Sequence, residues 1–119
     1  MQILYKRFYV KYNITEKIYF EIRGYMEFME ARDVVNQVLL LLIEIDKQLS
    51  NLNVQIPSEL KKVKGTLLNK DIGGYRKIRT NLYNGFRRLD EIGINDYRID
   101  ELSSKIYLLV KQHAIFDTV

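Results

Sequence analysis

The sequence predicts a mainly-α protein, a compact bundle of about four helices with a short N-terminal β element as the one admixture. Three observations carry that expectation. Apolar residues recur at three- and four-residue steps in successive segments, the signature of helices with one buried face. The breaks between those segments fall at Asn-, Ser- and Pro-rich or glycine positions. With 119 residues, 47% of them hydrophobic and 29% charged, the chain suits one core and a single domain over 1–119.

The first segment, 13–50, is acidic and reads as a long helical half. Asn13 and Glu16 have capping-box spacing. Val35, Val38, Leu39, Leu42, Ile45, Leu49 and Leu52 form its stripe. Leu40, Leu41 and Ile43 lie outside the stripe, so a second partner is expected there, a homo-oligomer through the Val35, Leu39, Leu42 and Ile43 region. Further upstream two patterns compete. Ile14, Ile18, Ile22, Met26 and Met29 continue a helix, whereas Ile18, Phe20 and Ile22 alternate with polar neighbours and mirror Leu4, Phe8, Val10 and Tyr12. We read 3–12 as a strand and 15–30 as helix, with a hairpin over 3–24 as the competing reading.

Residues 50–58 form a loop that Asn51, Asn53, Pro57 and Ser58 punctuate. Beyond it lies a basic helical segment, 58–93. Ser58 is placed to cap a short helix running to about Asn69 with Leu60, Val63, Leu67 and Leu68 inward. Gly73-Gly74 ends it. A second helix from Tyr75 carries Ile78, Leu82, Phe86 and Leu89 on one face and stops at Gly93-Ile94. Asn95 or Asp96 caps a terminal helix, 96–113, with Ile99, Leu102, Ile106, Leu109 and His113 inward.

Charge is distributed unevenly along these elements. The net charge is +4, yet 1–12 carry +3, 13–59 carry −4, 60–88 carry +8 and 89–119 carry −3. The central segment holds nine cations against Asp71 alone. Such a concentration repels itself unless a polyanion neutralises it, and phosphate neutralisation releases condensed counterions. The expected partner is therefore nucleic acid, DNA or RNA, and the candidate contacts are Lys61, Lys62, Lys64, Lys70, Arg76, Lys77, Arg79, Tyr83, Arg87 and Arg88. On a helix begun at Tyr75, Arg79, Tyr83, Arg76 and Arg87 fall at about 40°, 80°, 100° and 120°, a flank with one tyrosine among three arginines. Such a mixture suits phosphates, guanine edges and stacking. The competing reading packs Tyr83 on a neighbouring helix and pairs the arginines with Asp90 and Glu91.

Chemistry has little purchase. There is no cysteine and one histidine, His113, so thiolate or multi-imidazole metal sites are excluded and a Ser-His-Asp triad is strained. Asp46 with Glu59-Leu60-Lys61 has the letters of a metal-dependent nuclease, but an acid after Pro57-Ser58 is what the start of a helix favours. Glu27 and Glu30 lack a histidine partner. A helical nuclease of the Arg-x(4–6)-His type would need arginine at 106–108, where Ile106, Tyr107 and Leu108 stand. Gly73-Gly74 lacks the Lys-Ser of a phosphate loop. No enzyme, cofactor or metal is expected. The longest apolar run, Val38 to Ile43, is far short of the roughly 20 residues of a membrane span, and the N-terminal charges follow the apolar residues, unlike a secretory signal. A cytoplasmic protein is expected.

Two stretches resemble known families. Thr80-Asn81-Leu82-Tyr83-Asn84-Gly85-Phe86-Arg87-Arg88-Leu89-Asp90-Glu91-Ile92-Gly93-Ile94 resembles the recognition helix of winged helix-turn-helix regulators, with Leu68 and Ile72 on the preceding helix. That resemblance implies an α+β fold in which Thr80, Asn81, Asn84 and Arg87 approach base edges and Tyr97–Asp100 with Lys105–Val110 form a wing. The chain departs from it at Gly73-Gly74-Tyr75-Arg76, which is not the usual turn, and at 96–113, which fits a helix better than two strands. Leu89, Gly93 and Tyr97, followed by the periodic terminal helix, resemble the third-to-fourth helix junction of small basic four-helix-bundle proteins that accompany retroelement reverse transcriptases or occur as ribosomal-RNA intervening-sequence products. Those proteins hold nucleic acid on a basic bundle surface. The abundance of Ile, Lys, Asn and Tyr fits an AT-rich coding sequence, as in many archaea, low-GC bacteria, phages and plasmids.

Overall fold

The computed structural model describes residues 31–117, in which four α-helices and two short 3-10 turns follow one another and no strand occurs. The strand expected at 3–12, the competing hairpin over 3–24 and the helix at 15–30 lie outside the described residues.

Helix α1, Ala31–Asn51, buries Val34, Val35, Val38, Leu41, Leu42, Ile45 and Leu49. The stripe is the expected one displaced slightly. Leu41 joins the core while Leu52, beyond the helix end, is exposed. Val35 and Leu42 are 6% and 0% exposed inside the protomer, so they cannot form the subunit interface expected of them. Of that region, Leu40 and Ile43 are the exposed apolar side chains. The helix stops in a Schellman motif, with Val54 N–H donating to Leu49 O at 2.8 Å and Asn53 N–H to Ser50 O at 3.0 Å, around Asn53 at φ 57°.

Helix α2, Ser58–Leu68, begins after Pro57 rather than under a serine cap. Pro57 occupies the cap position at φ −57°, and the Ser58 hydroxyl donates to Glu59 instead. Proline needs no amide partner at a helix start, which explains the substitution of roles. Leu60, Val63 and Leu67 are buried as expected, but Leu68 points outward. The same Schellman pattern ends α2: Asp71 N–H donates to Thr66 O and Lys70 N–H to Leu67 O, with Lys70 at φ 53°.

The segment Ile72–Lys77 then forms a 3-10 turn rather than the first turn of the next helix. Gly74 allows this turn to lie on α2, since a Cβ there would sit 2.9 Å from Thr66 Cγ2. Tyr75 is buried, its ring 6.1 Å from that of Phe116. Burial first, and then the charge of Asp71, push its phenol pKa up.

Helix α3, Ile78–Glu91, buries Ile78, Leu82, Gly85, Phe86 and Leu89, the arc read from the sequence. It closes on Gly93 at φ 82°, with Ile94 N–H donating to Leu89 O. Helix α4, Tyr97–Gln112, is capped by Asp96, which accepts from Ile99 N–H at 2.9 Å. Ile99, Leu102, Ile106 and Leu109 are buried, and so are Ser103, Ser104, Leu108 and Val110. Because α4 is a helix, the wing implied for 97–100 and 105–110 is absent, and the winged fold with it. His113 lies just beyond the helix rather than within it. It takes the extended C-cap position, half-buried, where its Nδ1 accepts from Ile115 N–H. Phe116, in the second 3-10 turn, Ala114–Asp117, closes the core instead.

The helices pack antiparallel. Gln48 Nε2 donates to Asp96 Oδ2 at 3.2 Å and Arg98 Nη2 to Glu44 Oε2 at 2.6 Å, which ties the end of α1 to the start of α4. Glu59 at the start of α2 meets Arg88 near the end of α3. Leu60 lies so close to Gly85 that a Cβ there would be 2.5 Å from its Cγ.

Candidate nucleic-acid interface

The fold divides the ten candidate residues into two groups. The first group is engaged by the protein itself. Lys64 Nζ bonds Asp46 Oδ2 at 2.8 Å, with both side chains about two-thirds buried. Arg79 Nη2 donates at 2.9 Å to Val110 O, in the last turn of α4, where a cation also complements the negative end of the helix dipole. Arg87 stands 5.9 Å over the Tyr83 ring, with its Nε 3.5 Å from Glu91 Oε1. That nitrogen is shielded from solvent and hydrogen-bonds to nothing, so Glu91 supplies charge without a directed bond. Arg88 donates to Glu59, and that hydrogen bond holds the Glu59 carboxyl below the usual carboxylate range. It raises the Arg88 guanidinium in turn.

These pairings also account for the two carboxylates that resembled a nuclease site. Asp46 holds Lys64 and Glu59 holds Arg88. Among the described residues no group of three His, Cys, Asp or Glu side chains is arranged to hold a metal ion, and no helix is long and apolar enough to cross a membrane.

The second group comprises Lys61, Lys62, Lys70, Arg76 and Lys77. All five are exposed, and none forms an ion pair among the described residues. They stand on α2 and on the turn that folds back against it, not on α3. Arg76 and Lys77 belong to the 3-10 turn, so the wheel that set Arg76 beside Arg79 and Tyr83 does not apply to them. The flank Arg79–Tyr83–Arg87 does exist on α3, but it is knitted into the protein rather than left as a bare basic patch.

Sequence reasoning missed two residues at this surface. Leu68 and Ile72 are 64% and 62% exposed, at the end of α2 and the start of the turn. Leu60, Val63 and Leu67 already complete a helical stripe, and that spacing was the one signal that Leu68 falls outside it. The carboxylates that take up Lys64 and Arg88 lie 18 and 29 residues away, beyond any local pattern. Comparison with protein-family models, curated proteins and solved structures finds no match to this chain.

Proposed function

We propose that the protein binds nucleic acid without catalysing a reaction on it, holding phosphates with the exposed face of α2 and the following turn. One observation carries the reading. Of nine cations in residues 60–88, four are taken up by the protein's own acceptors and five are left exposed on one stretch of chain, 61–77. The only acid within that stretch is Asp71. Uncompensated charge of one sign favours a polyanion and makes binding steeply salt-dependent.

Fluorescence anisotropy with labelled duplex DNA, single-stranded DNA and RNA at two salt concentrations tests it. Lys61→Glu/Lys62→Glu/Lys77→Glu should abolish binding, whereas Arg87→Gln should leave the salt slope unchanged. No binding of the wild type to any of the three ligands overturns the proposal.

The rival is a non-catalytic helical adaptor for an acidic protein partner, which Leu68 and Ile72 favour as apolar anchors beside the cations. Heparin separates the two: it should strip nucleic acid from the protein and leave an anchored protein partner in place. The expected homo-oligomer now rests on Leu40 and Ile43 of α1. Sedimentation of wild type against Leu40→Glu/Ile43→Glu checks it, since a monomer in both rejects the contact.

A further inference from the structure

The tip between α2 and the 3-10 turn combines three features. Leu68 and Ile72, two large aliphatics four residues apart, are 64% and 62% exposed. Between them Lys70 adopts the left-handed conformation, φ 53°, in a turn fixed by the Schellman bonds to Leu67 O and Thr66 O at 3.2 and 3.0 Å. Lys70 lies between them, Arg76 and Lys77 follow in the 3-10 turn, and Lys61 and Lys62 stand earlier on α2; none of the five forms an ion pair among the described residues. Lys70 places positive charge on the carbonyl end of α2, whose dipole would otherwise repel a phosphate. This connection thus carries exposed apolar and cationic side chains together, and Ile72 also borders a cavity with Arg32, Val35, Tyr75 and Ile115.

Apolar side chains set among phosphate contacts have a particular use in nucleic-acid binding. Architectural proteins insert Leu, Ile, Met, Phe or Pro between base steps from the minor groove, unstack the step and bend the duplex by about 20–90°. Single-strand binders instead offer aromatic rings on which bases stack. Among the described residues this tip offers no such ring: Tyr75 is buried, and Tyr83 is half-buried beneath Arg87.

We infer that Leu68 and Ile72 form a wedge that enters a base step of a duplex held by the exposed cations of α2 and the following turn, and that binding bends the duplex. The inference rests on the nucleic-acid reading above. It favours pyrimidine–purine steps, which unstack most easily.

The test uses the whole protein and a duplex of roughly 25 base pairs with central TA steps. It reads affinity by anisotropy, bending by energy transfer between end labels, and unstacking by 2-aminopurine fluorescence at the TA step. The wild type should raise both the energy transfer and the 2-aminopurine signal. Leu68→Ala/Ile72→Ala, at exposed positions and checked for folding by circular dichroism, should keep its affinity within roughly tenfold, because phosphate contacts supply most of it, and should lose both signals. Leu68→Met/Ile72→Met should retain them. Salt-dependent binding by the wild type with neither bending nor unstacking overturns the wedge and leaves the nucleic-acid reading standing. No binding to duplex or single strands overturns both. Binding to phosphatidylserine vesicles that Leu68→Ala/Ile72→Ala abolishes, with a straight duplex, assigns the tip to a lipid surface and likewise overturns the wedge.

Discussion

Gly65 and Gly85 both lie inside helices, α2 and α3, yet alanine should shift stability in opposite directions at the two sites. Each substitution gains about 1 kcal/mol of helix propensity, because glycine loses the most backbone freedom on folding. At Gly65 nothing lies within 4 Å of the added Cβ, so the gain stands alone and Tm should rise by about 4 °C for a chain of this length. At Gly85 the Cβ would meet Leu60 Cγ and Cδ2 at 2.5 Å and Leu60 N at 3.4 Å. Leu60 is fully buried, and the clash falls on its branch carbon, so no rotation of a flexible end relieves it. The two helices must part by nearly an ångström. Overpacking of that kind costs about 1–3 kcal/mol, here toward the upper end, which leaves Gly85→Ala about 2 kcal/mol less stable. Urea and thermal unfolding followed by circular dichroism measure both variants. Leu60→Ala should cost about 2–5 kcal/mol alone, while Leu60→Ala/Gly85→Ala should fall short of the summed losses by about 1 kcal/mol or more, since each change relieves the other. Equal stabilisation by Gly65→Ala and Gly85→Ala would refute the close approach of α2 and α3.

Lys70→Gly should raise stability by about 0.5–1 kcal/mol, the left-handed penalty of roughly 1–2 kcal/mol less the entropic cost of glycine, and should weaken duplex binding in the same preparation. Arg79→Ala should lower stability by about 1–2 kcal/mol through loss of the bond to Val110 O, read by urea midpoint. The Glu59–Arg88 pair gives a pH signature. The folded Glu59 pKa lies below its ordinary 4.5, so the stabilisation is complete above that value and is lost as pH falls through the lowered one. Unfolding curves of wild type and Glu59→Gln should therefore differ at neutral pH and converge in acid, and a constant gap across pH 2–7 would contradict the pairing.

The helical faces were legible because burial imposes a period on sequence. Every residue on the arc read for α3 is buried, and Gly93-Ile94 ends that helix as its spacing predicts. Where a helix begins was less legible. Tyr75 fits the α3 stripe by spacing, but its ring is held against Phe116 by a 3-10 turn, and no local pattern distinguishes that turn from a helix. Helix α4 buries Ser103 and Ser104 beside its apolar stripe, so polarity alone mislocated part of its inner surface. The candidate site was legible as a count of charges and not as a surface. Which cations stay available depends on long-range acceptors such as Asp46, Glu59 and Val110 O.

The antiparallel pairing has a consequence for the order of assembly. Helices α2 and α3 meet through residues about 25–30 apart, Leu60 with Gly85 and Glu59 with Arg88, whereas α1 and α4 meet through Gln48–Asp96 and Glu44–Arg98, 48 and 54 residues apart. Doubling a closed loop adds about 0.6 kcal/mol of chain entropy, and local helical contacts form fastest. The α2–α3 hairpin is therefore the cheaper nucleus, and Lys61, Lys62, Lys70, Arg76 and Lys77 are displayed on it and its connecting turn before the outer pair closes. A nascent chain would carry its cationic surface while α1 still waits for α4.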